Sequence, residues 1–156
     1  MRLTREWEGC KGEGWSARRL PKEIGFFQDP ASDYGRLSLE LVRVVRLVID
    51  TGIHSQGWTR EQAVAYFRES GDADQPTIQA EIDRYIAWPA QGLSYKIGQL
   101  KILDLRNRAQ QQLGPRFDIR SFHDEILSGG SLPLDMLEAR VDTWIGSQLP
   151  HGASSR

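Results

Sequence analysis

The sequence predicts an all-α fold of about seven helices, and three observations lead there. Apolar residues recur at helical spacing along most of the 156 residues. Glycine and proline fall between these periodic runs, where they stop one helix and start the next. No segment reads convincingly as a strand, and there is no internal repeat or low-complexity tract.

The elements follow in order. Residues 14–23 can form a first helix, closed by Gly25 and followed by an Asp29-Pro30 turn. A long run from Asp33 to Asp50 comes next. Its polar residues Arg36, Glu40, Arg43, Arg46 and Asp50 form one narrow stripe. Leucine, valine and isoleucine fill most of the remaining circumference, so this helix is expected to be largely enclosed by others, with Gly52 as its stop. Thr59 and Gln62 fit a capping box opening a helix through Ala63, Val64 and Phe67 to Gly71. Pro76 suits a first turn, since its missing N–H costs nothing there; Ile78, Ile82, Tyr85 and Ile86 then give an apolar face that ends by Pro89. A helix from Gln91 to Leu113 carries two stripes: Leu93, Ile97 and Leu100, then Ile102, Leu105, Ala109 and Leu113. After Gly114-Pro115, Asp118 can cap a helix through Phe122 and Leu127 that Gly129-Gly130 ends. The last helix starts near Pro133 and buries Leu134, Leu137, Val141, Trp144 and Ile145; residues 151–156 read as a disordered tail.

Composition narrows the function classes. A content of 39% hydrophobic and 26% charged residues is ordinary for a globular chain, which leaves disorder to the ends. Twenty basic against 21 acidic residues give a net charge of −1, no argument for nucleic acid or an anionic membrane. The single Cys10 excludes an intramolecular disulfide and a cysteine-rich zinc site. No apolar run is long enough for a membrane span. Residues 1–11 are polar and lack a signal-peptide core, which as written places the chain in the cytoplasm. The tryptophans Trp7, Trp15, Trp58, Trp88 and Trp144 stand beside glycine, proline or helix ends and read as packing anchors.

Chemistry-bearing motifs are sparse. A catalytic zinc needs three protein ligands and one open position, and H-E-x-x-H on a helix is the compact way to supply two. His54, His123 and His151 are too far apart in sequence for that motif. There is no G-x-S-x-G elbow and no P-loop, and Gly9, Gly12 and Gly14 follow no strand.

Several ordered runs nevertheless resemble one family. They are Glu13-Gly14-Trp15, LPKEIGFFQDP (20–30), LVIDTGIHSQGWTRE (47–61), RYIAWPAQGLSYKIG (84–98), GPRFDIRSFHD (114–124) and Leu132-Pro133-Leu134. The set is similar to the C-terminal part of the bacterial domain-of-unknown-function family 885, whose members look like helical zinc metallopeptidases. Residues 1–12 carry no matching run, 13–150 form the matching part, and the family's upstream H-E-x-x-P-G-H-type segment has no counterpart here. The resemblance implies Glu13 as a third zinc ligand, with His54 and Tyr95 as groups of the same cleft that donate to a tetrahedral oxyanion. Zinc would polarise the peptide carbonyl and activate water. Arg84, Lys96 and His123 lie in matching runs without an assigned role.

The residues also admit plainer roles. Glu13 suits a helix start through the dipole alone, His54 a loop histidine, Tyr95 a half-buried core tyrosine, and His123 beside Asp124 an oriented structural histidine. About two residues fewer than the family has between the EGW run and Arg19-Leu20 would rotate Glu13 by roughly 200°, at about 100° per residue. Ala90 stands where the family favours glycine. The chain is therefore expected to be a truncated homologue of a zinc-dependent peptidase that binds no zinc alone. Zinc and a peptide substrate belong to intact relatives. The alternative is a non-catalytic interaction module, self-associating or pairing with a missing N-terminal half as a split peptidase.

Overall fold

The long second run of the sequence sets the architecture. In the computed structural model, which describes Lys22, Glu23, Gly25 and residues 27–71 and 73–149, it forms helix α1, Pro30–Gln56. The Asp29 carboxylate accepts the Ser32 N–H at 2.8 Å and Pro30 occupies the first turn, so the expected turn is the helix's own cap. The helix then runs past Gly52 and ends at Gly57, which takes the left-handed conformation at φ 69°. Gly52 has a different task. The Trp58 N–H donates to its carbonyl at 2.9 Å, and a Cβ built on Gly52 would fall within the Trp58 indole.

The capping box at Thr59 is present in both directions: the Gln62 N–H donates to Thr59 Oγ1 and the Thr59 N–H to Gln62 Oε1. It opens α2, Arg60–Ser70. Helix α3, Gln75–Ala87, has Pro76 in its first turn. Helix α4 runs Gln91–Leu113, within the expected bounds, and is followed by a 3-10 turn at Gly114–Arg116. Asp118 caps α5, Ile119–Leu127, by accepting from the Arg120 and Ser121 amides. Helix α6 is Leu134–Gln148, with Pro133 before it. The described residues therefore hold six α-helices and no strand. Of the first expected helix only Lys22 and Glu23 are described, both helical, with Gly25 at φ 82°. Trp7, Trp15 and the 151–156 tail lie outside the described residues.

Two compact units divide between Ile97 and Gly98. The first closes around Val45 and Ile49 of α1, Ala63 and Phe67 of α2, and Ile78, Ile82 and Tyr85 of α3, with Trp58 and Tyr66 packed against them. Trp58 and Tyr66 rings meet at 5.4 Å. The second unit buries Ile102, Leu105, Ala109 and Leu113 of α4, Phe122 and Ile126 of α5, and Leu137, Val141 and Ile145 of α6. Phe122 meets Trp144 edge-on at 6.1 Å, and Glu138 of α6 takes both Lys101 and Arg108 of α4.

Three expectations about burial change. Helix α1 is buried only from Val45 onward; Leu37, Leu39, Leu41 and Val44 are exposed rather than enclosed. Ile86 turns outward from the α3 face, since Tyr85 takes the inward position. In α4 the second apolar stripe is core, whereas Ile97 and Leu100 of the first are exposed.

Two glycines of α1 should respond oppositely to alanine. Gly52→Ala drives a methyl into Trp58 and should cost about 1–3 kcal/mol by overpacking. Gly35→Ala meets nothing within 4 Å and should gain roughly 0.5–1 kcal/mol from helix propensity. Urea melts followed by circular dichroism check both signs.

Candidate functional site

The polar stripe of α1 is a seam rather than a solvated face. Arg36 pairs with Asp33 at 2.8 Å, and Lys96 of α4 donates to Glu40 Oε1 at 2.5 Å. Arg46 reaches α3, donating from Nη2 to Glu81 Oε2 at 2.5 Å and from Nε to Tyr85 Oη at 2.6 Å. Asp50, one turn further, is buried, and its Oδ1 accepts the Ala90 N–H at 3.1 Å. That places a carboxylate at the N-terminus of α4, where the helix dipole favours it. Asp50 Oδ2 is buried without a hydrogen-bond donor among the described residues.

Helical spacing on α3 completes the cluster. Glu81, Arg84 and Tyr85 stand at i, i+3 and i+4, on one face. Arg84 donates to both Glu81 oxygens, at 3.2 and 2.7 Å, and to Gln91 Oε1 at 2.8 Å. The Tyr85 hydroxyl donates to Glu81 Oε2 at 2.5 Å. The guanidinium carbons of Arg84 and Arg46 lie 4.9 and 5.5 Å from the centre of the Tyr85 ring.

The electrostatics decide what this cluster can do. Burial pushes the Glu81 carboxyl up, but hydrogen bonds from Arg84, Tyr85 and Arg46 outweigh it and hold the group at about 2. Burial, with the Glu81 hydrogen bond, drives the Tyr85 phenol far above its ordinary value, and Arg46 offsets only part of that. A proton-transfer group works best near the operating pH. Neither Glu81 nor Tyr85 titrates near neutrality, so the cluster is a clamp joining α1, α3 and the start of α4.

The residues singled out from sequence fall as follows. Arg84 belongs to the clamp and Lys96 to the Glu40 pair. His54, in the last turn of α1, has Nε2 at 3.0 Å from the Tyr85 carbonyl. A carbonyl only accepts, so Nε2 carries a proton, and the neutral form of the ring would have its lone pair on Nδ1. Tyr95 is half-buried on the first half of α4. His123 is half-buried on α5 in the second unit, its ring 6.1 Å from that of Phe122. Glu13 and His151 lie outside the described residues. Among the described residues, no three His, Cys, Asp or Glu side chains form a metal-ligating group. The seam's carboxylates do not fit zinc either, since Glu40 and Glu81 hold cations and Asp50 a backbone amide.

The Arg46–Glu81–Tyr85 clamp was missed in the sequence. Tyr85 reads there as an apolar-face residue and Arg46 as part of a polar stripe. The signal available was that helical stripe itself, facing Glu81 and Arg84 spaced three apart on the next apolar helix but one.

The backbone also accounts for a departure noted above. Ala90 has φ 66°, a left-handed conformation that glycine adopts without strain, and its N–H is the one held by Asp50.

A family model described as bacterial protein of unknown function (DUF885) matches residues 2–141. A solved structure, described as "the putative lipoprotein from Colwellia psychrerythraea", is 44% identical with a TM-score of 0.85. The match covers 88% of this chain and 24% of that one, so the chain spans about a quarter of its length. No curated protein matches the chain. The description of the Colwellia protein overturns the cytoplasmic expectation. The polar start at residues 1–11 could not carry that expectation, because the match leaves three quarters of the relative's length unseen. No helix among the described residues is long and apolar enough to cross a membrane.

Two changes test the seam. Ala90→Gly should relieve left-handed strain and stabilise the chain by about 0.5–1 kcal/mol, read by thermal melting. For Glu81, whose folded pKa is depressed, the contribution to stability is complete above the ordinary carboxylate range and fades as pH falls toward about 2. Glu81→Gln should cost on the order of 2 kcal/mol at pH 7 and flatten that acid limb in urea titrations from pH 7 to 2.5.

Proposed function

The chain belongs to the bacterial DUF885 family, and from that premise we propose that it is the supporting quarter of a helical zinc-peptidase-like domain. The observation that carries this reading is the pairing of a high structural likeness with a small share of the relative's length. The seam supports it too, because its ionised groups are spent on holding helices together.

The chain's own contribution to hydrolysis is polar and modest. With Nε2–H engaged by the Tyr85 carbonyl, His54 could donate to an oxyanion from Nδ1 only as the doubly protonated ring. A tyrosine hydroxyl has no such requirement. We therefore assign oxyanion donation to Tyr95 and proton acceptance, through Nδ1, to His54. Zinc, when bound by residues supplied from elsewhere in the domain, would activate the water. For the parent domain we propose a location at the cell envelope, which the description of the Colwellia protein as a lipoprotein supports.

Incubation with a defined peptide mixture and zinc, with and without chelator, tests the reading by mass spectrometry. This chain alone should show no chelator-sensitive cleavage, and the intact Colwellia protein should show it. Cleavage by the chain alone would make it a complete enzyme. No cleavage by either would sink the peptidase reading.

A further inference from the structure

We propose that the N-terminal half of α1, residues 30–44, is a docking rod that the other helices of a DUF885 domain enclose on two sides. The inference stands on the family match and the helix surface, and does not depend on peptidase chemistry.

Leu37, Leu41 and Val44 lie at i, i+4 and i+7, within about 60° of one another at 100° per residue. Leu39 is about 200° away from Leu37, on the opposite side. All four are exposed, at 50%, 43%, 38% and 51% respectively. No residue of α1 before Val45 is buried, although the helix continues unbroken from Pro30. A helix apolar on opposite sides is normally interior, since either side alone in water is unfavourable. Lone exposed leucines are common on protein surfaces; a helical half-length exposing them on both sides is not.

The occupant follows from that two-sidedness. A second copy of the chain, packed helix against helix, would cover one stripe and leave the other in water. Helices of a larger domain can flank the rod on both sides. The matched segment makes up 24% of the Colwellia protein, so about three quarters of that chain is available to supply them. The partner surface is accordingly aliphatic and helical. Along the rod's polar stripe, Arg36 and Glu40 are already neutralised by Asp33 and Lys96.

The test compares one set of substitutions in two proteins. Leu37→Glu with Leu41→Glu alters one side of the rod, and Leu39→Glu the other. In the 156-residue chain each set should move the thermal midpoint by no more than about 2 °C, because the side chains are already exposed. At the aligned positions of the intact Colwellia protein, each set should lower the midpoint by at least about 8 °C, since the new carboxylates would be buried. Tolerance of either set by the intact protein would overturn two-sided enclosure. Sedimentation of the chain supplies the second readout. A dimer abolished by the Leu37 and Leu41 changes, with an unperturbed intact relative, would assign the face to a second copy instead.

Discussion

The first unit depends on satisfying one buried hydroxyl. Tyr85 is fully buried, and its ring fills the space that α1, α2 and α3 enclose. An unsatisfied phenol there would cost about as much as several methylene burials return. Glu81 and Arg46 solve this together: the phenol donates to the carboxylate and accepts from the guanidinium. Bringing a carboxylate to that position is itself costly, and burial alone would neutralise it. Two guanidiniums and one hydroxyl reverse that outcome, which is why Glu81 stays ionised to about pH 2. Arg84 then carries the same network to Gln91 at the start of α4, and Asp50 fixes the neighbouring Ala90 amide. The core of α3 and the entry to α4 are thus tied together by Glu81, which meets the core at the Tyr85 hydroxyl, and by Asp50.

Local signals were legible in the sequence because they act within a few residues. The Thr59 box, the Asp118 cap, Pro76 in a first turn and the bounds of α4 each depend on neighbours along the chain. Gly52 was misread for the opposite reason. A glycine after a long apolar run looks like a stop, but here it makes room for an indole six residues later. The true stop, Gly57, is marked only by its left-handed backbone. Enclosure was misread on the same ground: periodicity says which side chains avoid water, not which of them find a partner within residues 22–149.

The seam was half visible. Arg36, Glu40, Arg46 and Asp50 could be placed on one line of α1 from spacing alone. What they met could not be read, because the partners Glu81, Ala90 and Lys96 lie 35 to 56 residues further on. The role of His54 also needed coordinates. Only the 3.0 Å contact to the Tyr85 carbonyl fixes which ring nitrogen holds the proton.

Within 47–61, Asp50 binds the Ala90 amide, Gly52 receives Trp58, Gly57 ends a helix and Thr59 caps the next. Within 84–98, Arg84 holds Glu81, Gln91 receives Arg84, and Lys96 holds Glu40. These residues, which help carry the likeness, have sufficient reason to be there in shape alone. A structural match of 0.85 over this segment is what such local constraints produce, whatever reaction the surrounding domain performs. Likeness in these runs is strong warrant for the fold of the segment and weak warrant for hydrolysis.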